Sequence, residues 1–218
     1  MSIAGNISSL RSELPANVEL VAVTKTHSVE ILRQAYEAGC RIFGENRPQE
    51  MCAKAALLPK DIQWHQIGHL QRNKVRSIMP FVAMIQSGDS ERLLNAVDFE
   101  AARINRTVDL LLEIHIADEE SKFGWSGNEL CEYLQTGAYR NLKNIRFRGV
   151  MGMATYTDNE EQIRREFKYL ASLHSVLREK FFDDTFDIIS MGMTSDYKLA
   201  IECGSTMVRV GSGVFGSR

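Results

Sequence analysis

The feature that most constrains this chain is a repeat of pattern. A short apolar run rich in β-branched residues is followed by an amphipathic stretch, almost from end to end. The runs read as strands at 19–24, 41–43, 63–67, 81–86, 108–116, 146–153, 186–191 and 207–210. Between them, Ser28 caps a helix over 29–38 that Gly39 stops, with Ile31, Leu32, Ala35 and Ala38 at helical spacing. Further helical patterns cover 48–58, begin near Arg72 and Ser90, and follow Gly127. The longest spans 159–180, where Ile163, Phe167, Leu170, Leu173 and Leu177 form one stripe, and the last spans 195–202 before Gly204. Strands separated by helices are parallel and joined by right-handed crossovers. Leu20-Val21-Ala22-Val23 and Val108-Asp109-Leu110-Leu111-Leu112 are largely apolar on both faces, as doubly covered strands should be. Eight such units in 218 residues predict an α/β fold, a single compact (β/α)8 barrel near the lower size limit of that architecture. An open doubly wound sheet of six or seven strands is the competing architecture. No Pro/Gly/Ser linker or low-complexity tract interrupts the pattern, so residues 1–218 read as one domain.

Composition narrows the function classes. Apolar residues make up 44 % and charged residues 25 %, the balance of an ordinary globular protein. With 26 basic against 28 acidic residues, nucleic acid is not an expected partner, because phosphate affinity scales with clustered Lys and Arg. No apolar run approaches the roughly 20 residues that span a bilayer, and the N-terminus lacks a signal-peptide pattern, so neither a membrane nor export is expected. Cys40, Cys52, Cys131 and Cys203 have no C-x-x-C spacing and read as free thiols of a cytoplasmic protein.

The tail contains a literal G-x-G-x-x-G, Gly211 to Gly216. A dinucleotide fingerprint should follow the first strand, open a helix and precede an acidic residue about 20 positions on. Only Ser217 and Arg218 follow here, which leaves room for neither the helix nor the acid. The segment reads better as half of a phosphate site. Gly211-Ser212-Gly213 follows the eighth strand and Thr194-Ser195-Asp196 follows the seventh, the two loops that commonly bind phosphate in such barrels. An ordinary cap plus a tight turn is the competing explanation.

Two charged residues sit where apolar strands end. Lys25 shares the side-chain parity of Val21 and Val23. It is either a strand exit into solvent, the commoner case, or a desolvated amine with a depressed pKa, able to form a Schiff base. Arg209 lies between Val208 and Val210, so its guanidinium must find acceptors, whether in a structural ion pair or on a ligand. His65 and His69 have the spacing of a helical zinc pair, but a strand end separates them and no H-E-x-x-H pattern is present, so no metal is expected. Residues 118–124 read as a polar rim loop.

In combination these stretches resemble a known family, the pyridoxal phosphate homeostasis proteins. The resemblance is carried, in order, by VAVTKTH at 21–27, FGENRPQE at 43–50, WHQIGHLQRNK at 64–74, HIADEESKFG at 115–124, MGMTSD at 191–196 and GSTMVRVGSGVFG at 204–216. It implies a barrel like the N-terminal domain of alanine racemase, carrying pyridoxal 5′-phosphate. By match to the motifs, Lys25 would hold the cofactor aldehyde. Thr194 with Ser195, and Gly211 with Ser212, would hold the phosphate. Arg209 would face the pyridine nitrogen, and Asn46 would lie on the cofactor's rim. Thr194 stands where serine is more usual and Ser212-Gly213 where threonine-alanine is common; both keep a hydroxyl and small bulk. Arg47-Pro48 also departs from the tyrosine-containing form.

An arginine at the ring nitrogen disfavours ring protonation and weakens the ring as an electron sink. A racemase would also need a second base, which alanine racemases take from an additional domain for which this chain has no residues left. Tyr156 and Tyr197 are the available substitutes. The expectation is therefore a monomeric, non-catalytic carrier that delivers pyridoxal phosphate to apo-enzymes. An amino-acid racemase or lyase of narrow scope is the alternative, and a cofactor-free aldolase a third.

Overall fold

Parallel strands that are apolar on both faces need cover on both sides, and here they obtain it by closing on themselves. In the computed structural model, which describes residues 2–119 and 123–216, eight strands form a closed parallel barrel in chain order. They are β1 (Glu19–Val23), β2 (Ile42–Glu45), β3 (Gln63–Gln66), β4 (Val82–Gly88), β5 (Val108–Ile114), β6 (Ile145–Gly152), β7 (Ile188–Ser190) and β8 (Met207–Val210). The helices are α1 (Ile3–Glu13), α2 (Val29–Glu37), α3 (Pro48–Leu57), α4 (Arg72–Ile78), α5 (Glu91–Ala102), α6 (Gly127–Gln135), α7 (Glu160–Phe181), α8 (Tyr197–Glu202) and α9 (Ser212–Phe215). All eight expected strands are present, and the open-sheet alternative is excluded because β8 pairs with β1.

Differences from the expected boundaries have local causes. β1 stops at Val23, because the chain turns through Thr26 in a left-handed conformation (φ 65°). β5 stops at Ile114, where the chain receives Trp125 through His115 N–H to Trp125 O at 2.9 Å. α8 starts at Tyr197 because Thr194–Asp196 form a turn closed by Asp196, whose Oδ1 accepts the Met193 N–H at 2.5 Å. Two helices lay outside the pattern read from the strand–helix repeat. α1 is capped by Ser2, whose Oγ accepts from Gly5 N–H, and buries Ile7 and Leu10. α9 corrects the expectation that the Gly-rich tail opens no helix: its own residues make one turn, bound to α1 by Asn6 Nδ2 donating to Val214 O at 3.0 Å. The dinucleotide reading still fails, since that turn follows the last strand of a closed barrel.

The main core lies between barrel and helices, where Phe43, Leu94, Leu110, Phe167 and Val208 are all buried. A second cluster fills the barrel itself, made by Val21, Met84, Leu111, Met151 and Met207. Register shifts between Leu110 and Leu111 of β5 set a bulge in β6, with Phe147 and Gly149 facing consecutive residues. Gly149 holds φ 150° there, and an added Cβ would lie 1.8 Å from Ile188 O. Gly204, just past α8, also has a positive φ (97°) but faces open space.

These two glycines give a paired test. Gly149→Ala should lower stability by about 3 kcal/mol or more, since backbone of the neighbouring strand must move. Gly204→Ala should cost about 1 kcal/mol, the conformational term alone. Urea unfolding of both variants measures the gap; equal losses would mean that the bulge tolerates a side chain.

Candidate functional site

Alternation along the strands builds the site from the inside. Two residues beyond the apolar cluster, on the same strand faces, come Gln86 after Met84, Glu113 after Leu111 and Arg209 after Met207. Ser190 occupies the same place after Ile188, and His65 joins them from β3. The barrel thus has an apolar floor and, towards the C-terminal strand ends, a tier of buried polar groups.

That tier is ordered by Arg209, which is 3 % exposed. Its Nη1 donates to Ser190 O at 2.8 Å and to Ser190 Oγ at 2.6 Å, and its Nη2 donates to Gly152 O at 3.0 Å. No carboxylate lies within ion-pair distance of it among the described residues. Because the Ser190 hydroxyl accepts from the guanidinium, it donates onward to Gln86 Oε1 at 2.7 Å. Gln86 Nε2 is left to donate to His65 Nδ1 at 3.0 Å, which makes that nitrogen the acceptor. Burial pushes His65 down to about 3, so the ring is neutral, and pushes Arg209 down to about 10, with Glu113 and Asp196 pulling it back up. Glu113 is pushed up to about 7, by burial first and by the Asp89 charge second, against the attraction of Arg209. Its Oε2 has no hydrogen-bond partner among the described residues.

Above this tier, the seam of the barrel sets the mouth. β1 and β8 pair with Val21 opposite Arg209 and Ala22 opposite Val210. Gly211, just beyond these pairs, is level with Val23, and a Cβ on it would lie 3.5 Å from Val23 Cβ; Lys25 follows two residues further along the β1 side of the same seam. His27 and Phe215 lock the two loops together, with ring centroids 4.5 Å apart. Thr194 joins from β7: its Oγ1 accepts the N–H groups of Gly211 at 3.3 Å and Gly213 at 3.4 Å. No described residue accepts from the N–H groups of Thr194, Ser195 or Ser212, and both serines are exposed. Asn46 follows β2 on the other flank of β1, where its carbonyl accepts from Gln66 Nε2 at 3.0 Å. Gly68 permits this approach, since a Cβ there would meet Asn46 O at 2.8 Å.

The desolvated-amine reading of Lys25 needs correction. Lys25 is exposed, because Thr24 turns its hydroxyl outward to Glu45 Oε1 at 2.5 Å and Thr26 bends the chain back above the rim. A cleft of about 580 Å³ opens beside the mouth, between the loops after β6 and β7, and takes in Thr155, Asp158, Thr194, Ser195 and Tyr197. Lys25, Arg209, Gly211 and Ser212 lie outside that cleft, on the seam. Residues 120–122 of the expected rim loop, and Ser217 and Arg218, lie outside the described residues.

Sequence reasoning missed Glu113 and Lys54. Glu113 carries the signal that exposed Arg209, a charge inside an apolar strand. Lys54 is a cation on the buried stripe of α3, beside Met51, Ala55 and Leu58 at helical spacing. It is 5 % exposed and donates to Thr24 O at 2.7 Å, Glu45 Oε1 at 2.7 Å and Glu50 Oε1 at 2.6 Å.

A closed parallel barrel whose polar groups gather at the C-terminal strand ends defines a class. Residues 1–218 match the family model described as "Alanine racemase, N-terminal domain", and the chain belongs to that family. Alanine racemase of Clostridium difficile 630, in complex with cycloserine, shares the fold with a TM-score of 0.81 at 13 % identity, over 100 % of this chain and 60 % of its own. The pyridoxal phosphate homeostasis protein of Pasteurella multocida is 35 % identical over 204 residues, covering 92 % of this chain and 87 % of that protein. Its counterpart in Schizosaccharomyces pombe is 37 % identical over 207 residues, covering 93 % and 85 %. PipY of Synechococcus elongatus, at 35 % identity over 99 % of this chain and 100 % of its own, superposes with a TM-score of 0.93 without PLP and 0.88 with PLP bound. Within the racemase-like barrels, the chain is a member of the pyridoxal phosphate homeostasis protein family.

Glu113 yields a pH test. Its carboxyl is raised from 4.5 to about 7 on folding, so the folded state binds the extra proton between those values. Stability is therefore greatest below pH 4.5 as far as this group is concerned, falls as pH rises towards 7, and stays reduced above it. Glu113→Gln should be the more stable protein at pH 8, by up to roughly 3 kcal/mol, with the advantage gone near pH 4.5. Urea unfolding at the two pH values reads this; a pH-independent difference would count against it.

Proposed function

We propose that this chain is an intracellular carrier of pyridoxal 5′-phosphate, holding it covalently at Lys25 and releasing it to apo-enzymes without turnover of its own. The observation that supports this reading is the seam: β1 and β8 are paired through Val21 and Arg209, and Lys25 follows the one strand while Gly211 and Ser212 follow the other. The donor set fits the cofactor in each of its parts. A buried guanidinium with no carboxylate within ion-pair distance among the described residues suits an aromatic nitrogen acceptor. The hydroxyls of Thr194, Ser195 and Ser212 with the N–H groups around them suit a phosphate dianion. An exposed primary amine between the two suits an aldehyde. Asn46 would close the rim beside Lys25.

Bound there, the cofactor supplies an aldehyde that amines capture reversibly and a ring that withdraws electrons. The chain's own residues favour holding it over driving chemistry. Arg209 stays charged at neutral pH and offers donors, so it would leave a ring nitrogen unprotonated. The two tyrosines considered as a second base support the same reading. Tyr197 donates its hydroxyl to Glu13 at 2.8 Å, on the α1 side, and Tyr156 is 91 % exposed at the cleft rim. No helix among the described residues is long and apolar enough to cross a membrane. A cytoplasmic monomer is the working form of this proposal.

The purified protein should absorb in the visible, and borohydride should fix a pyridoxyl group on the peptide bearing Lys25. Lys25→Ala should lose both; label retained on the same peptide would overturn the assignment. Incubation with single L-amino acids in deuterium oxide should show little α-proton exchange, and turnover above about 1 s⁻¹ would replace the carrier by an enzyme.

A further inference from the structure

A buried ionic network on the outer wall of the barrel converges on the two peptide groups that flank Lys25. On the N-terminal side, Lys54 Nζ donates to Thr24 O at 2.7 Å. On the C-terminal side, Glu50 Oε1 accepts the Thr26 N–H at 2.5 Å. The two clamps are one unit, because Lys54 Nζ also donates to Glu50 Oε1 at 2.6 Å and to Glu45 Oε1 at 2.7 Å. Thr24 closes the ring by donating its hydroxyl to Glu45 Oε1. Lys25 therefore stands between two backbone groups fixed from α3 and β2, while its own side chain is exposed.

Two features mark this as more than a packing contact. Thr26 holds φ 65°, a conformation unfavourable for a β-branched residue, and its N–H is gripped by a carboxylate. Glu45 is wholly buried and leaves Oε2 without a hydrogen-bond partner among the described residues, a cost the fold carries to keep the network on this turn. A helix need bury no lysine to pack against a barrel; Lys54 would be replaceable by an aliphatic residue if only the core were served.

We propose that Lys54 and Glu50 are positioning residues for the Lys25 amine: together they clamp both peptides around it and set the direction in which it leaves the barrel rim. The proposal rests on the reading of Lys25 as the attachment residue. Burial pushes against ionisation of Glu50, but the hydrogen bonds from Lys54 and from the Thr26 N–H outweigh it and hold that carboxyl below its usual range.

The test uses the full chain with Glu50→Ala, which frees the Thr26 N–H but leaves Lys54 paired with Glu45, and Glu50→Gln, which keeps an acceptor. Lys54→Arg, which keeps the charge and donors, is the conservative check on the hub. Three quantities are read: amide hydrogen exchange over residues 25–27 without cofactor, the rate of borohydride-trapped pyridoxal phosphate appearing on Lys25, and the release rate of the loaded cofactor. Glu50→Ala should speed exchange and slow capture about tenfold or more, the scale of a lost charge-assisted hydrogen bond. Glu50→Gln should restore most of both, and Lys54→Arg should lie nearer wild type than Glu50→Ala. Faster exchange with unchanged capture and release would overturn the positioning role, as would exchange that does not change at all. Wild-type protein that never loads Lys25 would instead remove the carrier reading beneath it, and the positioning role with it.

Discussion

A guanidinium buried inside the barrel, with no carboxylate within ion-pair distance among the described residues, is the constraint from which the rest of the site follows. Arg209 cannot be solvated by water at 3 % exposure, so fixed dipoles must do that work. The carbonyls of Ser190 and Gly152 point at it, which fixes the ends of β7 and β6 around β8. Its donation to the Ser190 hydroxyl then dictates every later choice in the chain: which oxygen Gln86 presents, which way its amide faces, and which nitrogen of His65 accepts. A neutral His65 follows, so the only charges left in the polar tier are Arg209 and whatever fraction of Glu113 is ionised. The tier is a single electrostatic unit with one permanent cation at the mouth.

The same strand that carries this cation closes the barrel. Pairing of β8 with β1 joins the first strand to the last, and it brings the loop that carries Lys25 and the loop that begins at Gly211 to one seam. Each loop is then supported independently. The β8 loop is held by Thr194 and by α9 packing on α1; the β1 loop is held by the ionic network of Lys54 from the opposite side. The amine and the polar cradle are therefore placed by different elements that meet at the seam and through the contact of His27 with Phe215.

Much of this was legible in the sequence, for physical reasons that also explain the gaps. Parallel strands covered on both faces are apolar throughout, so each of the eight could be found, and β8 was found to the residue. Ends were misjudged where a tertiary contact cuts the ladder, as at Val23 and Ile114. Arg209 stood out because a charge between two valines in a strand must find acceptors, in a structural ion pair or on a ligand. Lys54 did not, because helices carry lysines routinely and only the barrel wall makes this one buried. Lys25 was visible by its place at a strand end, and of the two readings the pattern allowed, exit into solvent is the one that holds, because Thr26 turns the chain. α1 escaped because it precedes the first strand and belongs to no repeat unit.

Exposure of Lys25 and burial of Arg209 together bear on the choice between carrier and catalyst. A catalytic lysine that must take and return a proton at a substrate carbon profits from a desolvated, closed setting that lowers its pKa and excludes water. Here the amine is exposed, the serines that would meet a phosphate are exposed, and the cleft beside them is open. What is buried is the part that would hold a ring by hydrogen bonds and keep its nitrogen unprotonated. Under the proposed assignment such a division would favour reversible occupancy: recognition would come from the buried interior, while the bond that makes and breaks would lie where incoming amines can reach it.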